Sequence, residues 1–197
     1  MRASLFESSS DADRRSSDED SESVQRDLEA ARRGDPAVWD RWFTGYYPPL
    51  YRYAFYRLRR EADAEEIASQ VFVEAYRGIR KYRYTGKPIL AWLYRIAHNL
   101  VCDRIDHEQR RRRTHIEDGD LAESCDGPES GVANIDLMNA LDALSDDQRE
   151  VIVLRFFMGM QGREVAATTG KSAAAVFSLQ ARAIVSLRQR LGEDFVL

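Results

Sequence analysis

Arg80-Lys81-Tyr82-Arg83-Tyr84 alternates cations with aromatic rings over five consecutive positions. Guanidinium and ammonium groups neutralise phosphate, and a phenol ring offers a flat face on which an unstacked base can rest. That combination suits a separated nucleic-acid strand. The same residue types also suit a solvated helix end with half-buried tyrosines, and residue type alone does not choose between the two. Downstream, Trp92, Arg95, His98, Asn99 and Asp103 recur at three- and four-residue steps, so they can share one exposed ridge of a helix. Arg and Asn on such a ridge can read base edges. A lone His there is more often a plain surface residue than a ligand. The cations Arg110 to Arg113 fit a solvated or phosphate-contacting helix end and carry little sequence information.

Charge is segregated in the same sense. The 197-residue chain has a formal net charge of −4, yet between Arg77 and Arg113 eleven basic residues oppose three acidic ones, a local +8 that leaves −12 for the rest. A basic block inside an acidic protein turns one face toward a polyanion, while the remainder repels it or meets a basic partner.

Catalytic chemistry finds no footing. There is no Gly-rich phosphate loop after a strand and no nucleophile elbow, so no catalytic residue is assigned. Asp63, Glu65 and Glu66 could be pictured as a metal cluster, but a helix start with Asp63 as its cap explains them more simply. Cys102 and Cys125 are the only cysteines. They form no C-x-x-C pair and have no histidine at zinc-finger spacing, so both read as reduced thiols without metal, with a regulatory role left open for Cys125 in its polar loop. No second histidine is placed to join His98 in a metal site, and no cofactor is expected. The Ser- and acid-rich start lacks the apolar stretch of a secretory signal, and no apolar run reaches membrane-span length. A cytoplasmic protein without membrane contact is the expectation.

Helices must position these groups. Apolar residues make up 44% of the chain and charged residues 31%, as in soluble globular proteins. Residues 1–23 are acidic and serine-rich, with too few large apolar side chains to offset the entropy of ordering, and are expected to be disordered. Residues 24–113 form a first helical domain. Within it Asp35-Pro36 opens a helix, Leu50, Ala54 and Leu58 mark a core face, and Ile67, Val71, Ala75 and Ile79 form the stripe of the next helix. Gly86 and Pro88 punctuate a loop, after which a long helix from Ile89 to about Gln109 buries Leu93, Ile96, Ala97, Leu100 and Val101. Residues 114–133 hold six acids and no lysine or arginine, which reads as a linker. In residues 134–197 a Ser145–Gln148 capping box opens a helix to Met158, closed by Gly159. A short helix around Glu164 to Thr168, a Gly170-Lys171 turn and a helix from Ser172 then outline a helix-turn-helix. The expected fold is all-α: two small helical domains joined by a flexible acidic linker, the second a helix-turn-helix domain.

Two stretches carry a family resemblance. Residues 63–76, Asp-Ala-Glu-Glu-Ile-Ala-Ser-Gln-Val-Phe-Val-Glu-Ala-Tyr, resemble the polymerase-binding helix of extracytoplasmic-function (ECF) sigma factors, and residues 91–100, Ala-Trp-Leu-Tyr-Arg-Ile-Ala-His-Asn-Leu, resemble the helix behind promoter melting. The resemblance implies that Asp63, Glu65, Glu66, Gln70 and Phe72 dock on the clamp helices of the largest subunit of core RNA polymerase. It implies that the loop from Lys81 to Pro88 captures a base flipped from the minus-ten element, with Arg80, Lys81, Tyr82, Arg83, Tyr84, Lys87, Trp92, Arg95, His98 and Asn99 forming the minus-ten surface. The linker would thread toward the polymerase's active-site and RNA-exit channels, or serve as a simple tether. Arg163, Lys171, Ser172, Phe177, Gln180 and Arg182 fall where the family's minus-thirty-five reader lies.

One departure stands out. Relatives usually carry a basic residue where this chain has Phe177, and seven bases against seven acids from Asn139 to Leu197 leave this unit no positive excess. Either minus-thirty-five contact is weak, or Phe177 packs on a partner such as an anti-sigma factor. Two rivals share these features: a helix-turn-helix regulator that binds duplex DNA without polymerase, and a sigma-like interaction protein that has lost DNA recognition.

Overall fold

The computed structural model describes residues 22–114 and 132–192, and every regular element among them is a helix. The acidic tail up to residue 21, most of the acidic linker and Cys125 lie outside the described residues. After α1 (22–32), Asp35 Oδ1 accepts the Ala37 amide at 3.0 Å and Pro36 occupies the first position of α2 (Pro36–Leu58). The missing amide of proline matters least there. α2 runs unbroken through Pro48 and Pro49, held by the burial of Trp42, Leu50, Tyr53 and Ala54 on both sides of the proline pair, while Leu58 is only half-buried.

α3 (Glu61–Gly78) corrects one expectation: the helix starts before Asp63, with Arg60 at the cap position and no side-chain cap bond. Asp63 sits inside the first turn, where a carboxylate favours the helix dipole. Its oxygens go instead to Arg104 at 2.8 Å and Arg60 at 3.4 Å. α4 (Ile89–Thr114) continues past Gln109 and buries Leu93, Ala97 and Val101, with Ile96 and Leu100 half-buried. α2, α3 and α4 pack on one another as a bundle.

α5 (Val132–Asp142) leads to the Ser145 cap, whose hydroxyl accepts the Gln148 amide at 3.3 Å while Gln148 Oε1 accepts the Ser145 amide at 3.1 Å. α6 (Asp146–Ile152) then widens into a π-helical turn over Val153–Phe157, where the Met158 amide reaches back to the Val153 carbonyl at 3.0 Å. The single α-helix expected to reach Met158 is therefore an α-helix with a π turn at its end. α7 (Gly162–Thr169) ends on Gly170 at φ +69°, a left-handed position open to glycine. Ser172 Oγ accepts the Ala175 amide at 3.1 Å to open α8 (Ala173–Leu191), which buries Val176, Ala183 and Leu187.

The two units pack together and share one hydrophobic cluster. α4 lies against α7 and α2 against the π turn. Tyr56 meets Phe157 with ring centroids 4.5 Å apart, and the Tyr94 hydroxyl lies 3.1 Å from Met158 Sδ. No helix among the described residues is long and apolar enough to cross a membrane.

Candidate nucleic-acid interface

The segment between α3 and α4 holds its cations outward. Arg80, Lys81, Arg83 and Lys87 are exposed, while Tyr82 and Tyr84 are half-buried. The Tyr82 ring stacks on Trp92 with centroids 4.4 Å apart and planes 30° from parallel. From α1, Arg32 Nη2 donates to the Tyr82 carbonyl at 2.7 Å, tying the segment to the bundle. Burial, helped by the neighbouring Tyr84, pushes the Tyr82 phenol above its ordinary pKa, so it stays neutral and can donate. Lys81, Tyr82, Arg83, Lys87, Trp92, Arg95 and Asn99 line one recess of about 960 Å³. The structure thus brings Lys81, Arg83 and Lys87 to the same concavity as Trp92, Arg95 and Asn99, with a ring platform between them, while Arg80 and Tyr84 do not line it.

The opposite wall of that recess belongs to the other unit. Glu164, Ala167 and Thr168 of α7 line it, so a carboxylate-bearing helix lies across the cationic surface.

His98 departs from the expected ridge. Trp92, Arg95, Asn99 and Asp103 line the recess, but Tyr94, His98 and Cys102 form a separate four-residue stripe that faces the second unit. The His98 side chain is only 13% exposed, and its Nδ1 lies 2.5 Å from Glu150 Oε1. In this arrangement no edge of His98 is presented to a base. Burial opposes a charged ring there, but hydrogen bonds to Cys102 and Glu150 and the Glu150 charge outweigh it and lift the His98 pKa to about 9. Burial likewise pushes the Glu150 carboxyl up, yet the His98 hydrogen bond and the charge of Arg57 bring it below its ordinary value. Both directions describe an imidazolium–carboxylate pair.

That pair anchors a polar cluster which the sequence reading missed entirely. Glu150 is 2% exposed and also accepts the buried Tyr53 hydroxyl at 3.1 Å. Arg57, buried beside it, donates from Nη1 to the Asp146 carbonyl at 2.9 Å, and Arg59 lies 3.4 Å from Asp142. Tyr53 and Arg57 come from α2, His98 from α4, and Glu150 from α6. One signal was available: Glu150 is followed at once by the apolar run Val151 to Leu154, and it sits four residues before Leu154, on a face that must be buried.

The residues expected to meet polymerase divide by exposure. Asp63 is buried and held by Arg104, while Glu66 is exposed and receives Arg104 Nη2 at 2.5 Å. Glu65 is exposed, and Gln70 donates to Glu74 at 2.9 Å. Phe72 is buried under Phe43, with ring centroids 4.9 Å apart. It floors an apolar recess of about 650 Å³ walled by Trp39, Phe43, Val73 and Tyr76. Tyr76 is 58% exposed, and Phe43 and Val73 are exposed beside it. A contiguous exposed apolar patch marks a binding surface more strongly than single exposed residues do. Glu65, Val73 and Tyr76 fall on one side of α3 by the helical period, with the acid about two to three turns before the apolar groups. Phe43, Val73 and Tyr76 were not singled out from sequence, because the patch forms only when α2 and α3 pack.

In the helix-turn-helix unit several expected contacts are occupied locally. Lys171 Nζ lies 2.9 Å from Asp147, Ser172 caps α8, and Gln180 Oε1 accepts Arg155 Nε at 3.2 Å. Arg163 and Arg182 are exposed, and Phe177 is 74% exposed.

Comparison with known proteins agrees with both units. Residues 42–111 match the family Sigma-70 region 2, and residues 140–189 match Sigma-70 region 4. The chain is 33% identical over 174 residues to the ECF RNA polymerase sigma factor BldN of Streptomyces coelicolor, covering 85% of this chain and 65% of BldN. It is 32% identical over 158 residues to the ECF RNA polymerase sigma factor SigD of Mycobacterium tuberculosis, covering 76% of this chain and 73% of SigD. The fold is similar to that of the sigma factor RpoE in its co-crystal structure with the anti-sigma factor NepR from Bartonella quintana, with a TM-score of 0.69 at 22% identity, covering 79% of this chain and 98% of RpoE. With a region 2 bundle that carries the cationic, aromatic segment and a region 4 that carries the helix-turn-helix, the chain belongs to the ECF RNA polymerase sigma factors.

Proposed function

We propose that this sigma factor gives RNA polymerase its promoter choice and helps to open the DNA, and that it catalyses nothing itself. The observation that carries the reading is the convergence of Arg83, Lys87, Arg95 and Asn99 around the Tyr82–Trp92 stack. Extruding a base costs a few kcal/mol of stacking and pairing. A ring platform contributes about 1–3 kcal/mol per stacked base, and the surrounding cations add phosphate affinity. On α3, Glu65, Glu66 and Gln70 with the apolar patch over Phe72 form the surface for the polymerase clamp helices, and Asp63 acts behind it by fixing α3 to α4 through Arg104. On this reading the protein works beside the polymerase, in the cytoplasm.

Transcription in vitro from a genomic fragment library with core polymerase tests the reading. Defined start sites should appear only when the chain is added. A chain that binds a duplex operator unaided but neither associates with core polymerase nor starts transcripts would be the regulator of the rival reading.

Minus-thirty-five contact is the weaker half of the proposal. Arg163 and Arg182 offer cations, but Phe177 presents an apolar ring where a phosphate-facing cation would help. Phe177→Lys should raise affinity of the holoenzyme for a promoter and steepen its salt dependence by about one phosphate's worth. Equal or lower affinity in a filter-binding titration would reject weak contact. Exposed Val185, two turns along α8 from Phe177, extends an apolar stripe that suits an inhibitor protein, consistent with the anti-sigma complexes in which similar folds were solved.

A further inference from the structure

His98, Cys102 and Glu150 meet where α4 crosses α6, with one donor atom from each lying within 4.8 Å of the others. His98 and Cys102 are one helical turn apart on α4, so a rigid element presents both, and Glu150 arrives from the other unit. Cys102 Sγ lies 3.6 Å from His98 Nδ1, which in turn lies 2.5 Å from Glu150 Oε1. None of the three lines the cationic recess or the apolar recess over Phe72. Glu150 is almost wholly buried, and the Tyr53 hydroxyl fixes the orientation of its carboxylate, as an outer hydrogen bond does for a ligating group.

We propose that His98, Cys102 and Glu150 form a binding site for a borderline divalent cation of the zinc class, which clamps region 2 to region 4. The donor set decides the class. Thiolate sulfur and imidazole nitrogen suit zinc and its neighbours and disfavour magnesium or calcium, which take oxygen ligands. Spacing comes near that of a zinc site, with all three donor atoms within 4.8 Å of one another. Tetrahedral ligands at about 2.0–2.3 Å from zinc stand roughly 3.3–3.7 Å from one another. The sulfur–nitrogen distance already falls there, and the nitrogen–oxygen pair must open by about 1 Å. Binding forms three coordination bonds and breaks the His98–Glu150 hydrogen bond. The Cys102 thiol proton and the proton held between His98 and Glu150 leave to solvent, and water takes the fourth position.

Cobalt(II) titration of the full-length, reduced, chelator-treated chain tests the site. One equivalent should bind with the charge-transfer band of a cobalt–thiolate bond, and zinc should displace it. Cys102→Ser should abolish the band, and Cys125→Ser should leave it. Glu150→Gln should weaken binding at least tenfold, since a ligand from region 4 is lost. Because Cys102→Ser changes one atom, its far-ultraviolet spectrum and melting curve in chelator should match the parent. Should it not fold, the intact chain still answers: zinc must protect Cys102 from alkylation, read by mass spectrometry of the digested protein. Absence of binding, a band carried by Cys125, or full affinity in Glu150→Gln would each overturn the proposal. These readouts are independent of transcription, so the site and the sigma function can fail separately.

Discussion

Replacing Arg80, Lys81 and Arg83 together by alanine should lower open-complex formation by about a hundredfold while leaving association with core polymerase intact. All three side chains are exposed and none is buried in the bundle, so the change removes charge without opening a cavity. An exposed ion pair contributes up to about 1 kcal/mol, and three such contacts to phosphate sum to roughly 3 kcal/mol, about two decades in an equilibrium constant. The salt dependence gives an independent check. Neutralising a phosphate of single-stranded DNA contributes about 0.7 to the logarithmic salt slope, so the triple variant should flatten it by about 2. Trp92→Ala should behave differently: its defect should shrink on a template already melted over the minus-ten element, because the few kcal/mol of unstacking no longer have to be supplied. Permanganate footprinting of promoter thymines reads both variants. Unchanged melting in the triple variant would show that the cation run is only a solvated helix end.

Local chemistry was legible in the sequence wherever a few neighbouring residues decide the outcome. Asp35 with Pro36, Ser145 with Gln148, and Gly170 with Ser172 mark helix ends because capping uses side chains within three positions of the amide they satisfy. The apolar stripes of α3 and α4 were readable for the same reason. Asp63 shows where that logic stops. Its pattern with Glu66 imitates a cap, but Arg104, 41 residues away, claims the carboxylate, and the helix begins earlier. His98 fails likewise: its spacing fits the ridge, but the packing of region 4 selects the neighbouring stripe. Tyr53 and Glu150 lie 97 positions apart, and nothing local in either segment announces the other. The apolar patch under Phe43, Val73 and Tyr76 needs two helices before it exists. In each case the missing information is how the elements pack, which periodicity within one element does not contain.

Glu150→Ala should destabilise the chelator-treated chain by about 3–5 kcal/mol in urea and, at the same time, increase binding of a single-stranded minus-ten oligonucleotide to region 2. The first effect follows from what the carboxylate leaves behind. Arg57 and His98 are both shielded from solvent at the joint; removing the shared anion strands the Arg57 cation and the Tyr53 hydroxyl in a low-dielectric setting and takes from His98 the partner that keeps its ring charged. Tyr53→Phe, which removes one donor and strands no cation, should cost only about 1–2 kcal/mol. The second effect has the opposite sign because α7 lies across the recess. If strand binding requires the two units to part, the apparent affinity of region 2 is its intrinsic affinity scaled by the fraction already open. Weakening the joint enlarges that fraction, so affinity rises as stability falls, up to roughly a hundredfold for a loss of about 3 kcal/mol at the joint. A general packing defect would lower both. A fluorescence-anisotropy titration alongside the urea curve therefore separates a joint that gates the DNA surface from a cluster that merely holds the fold together.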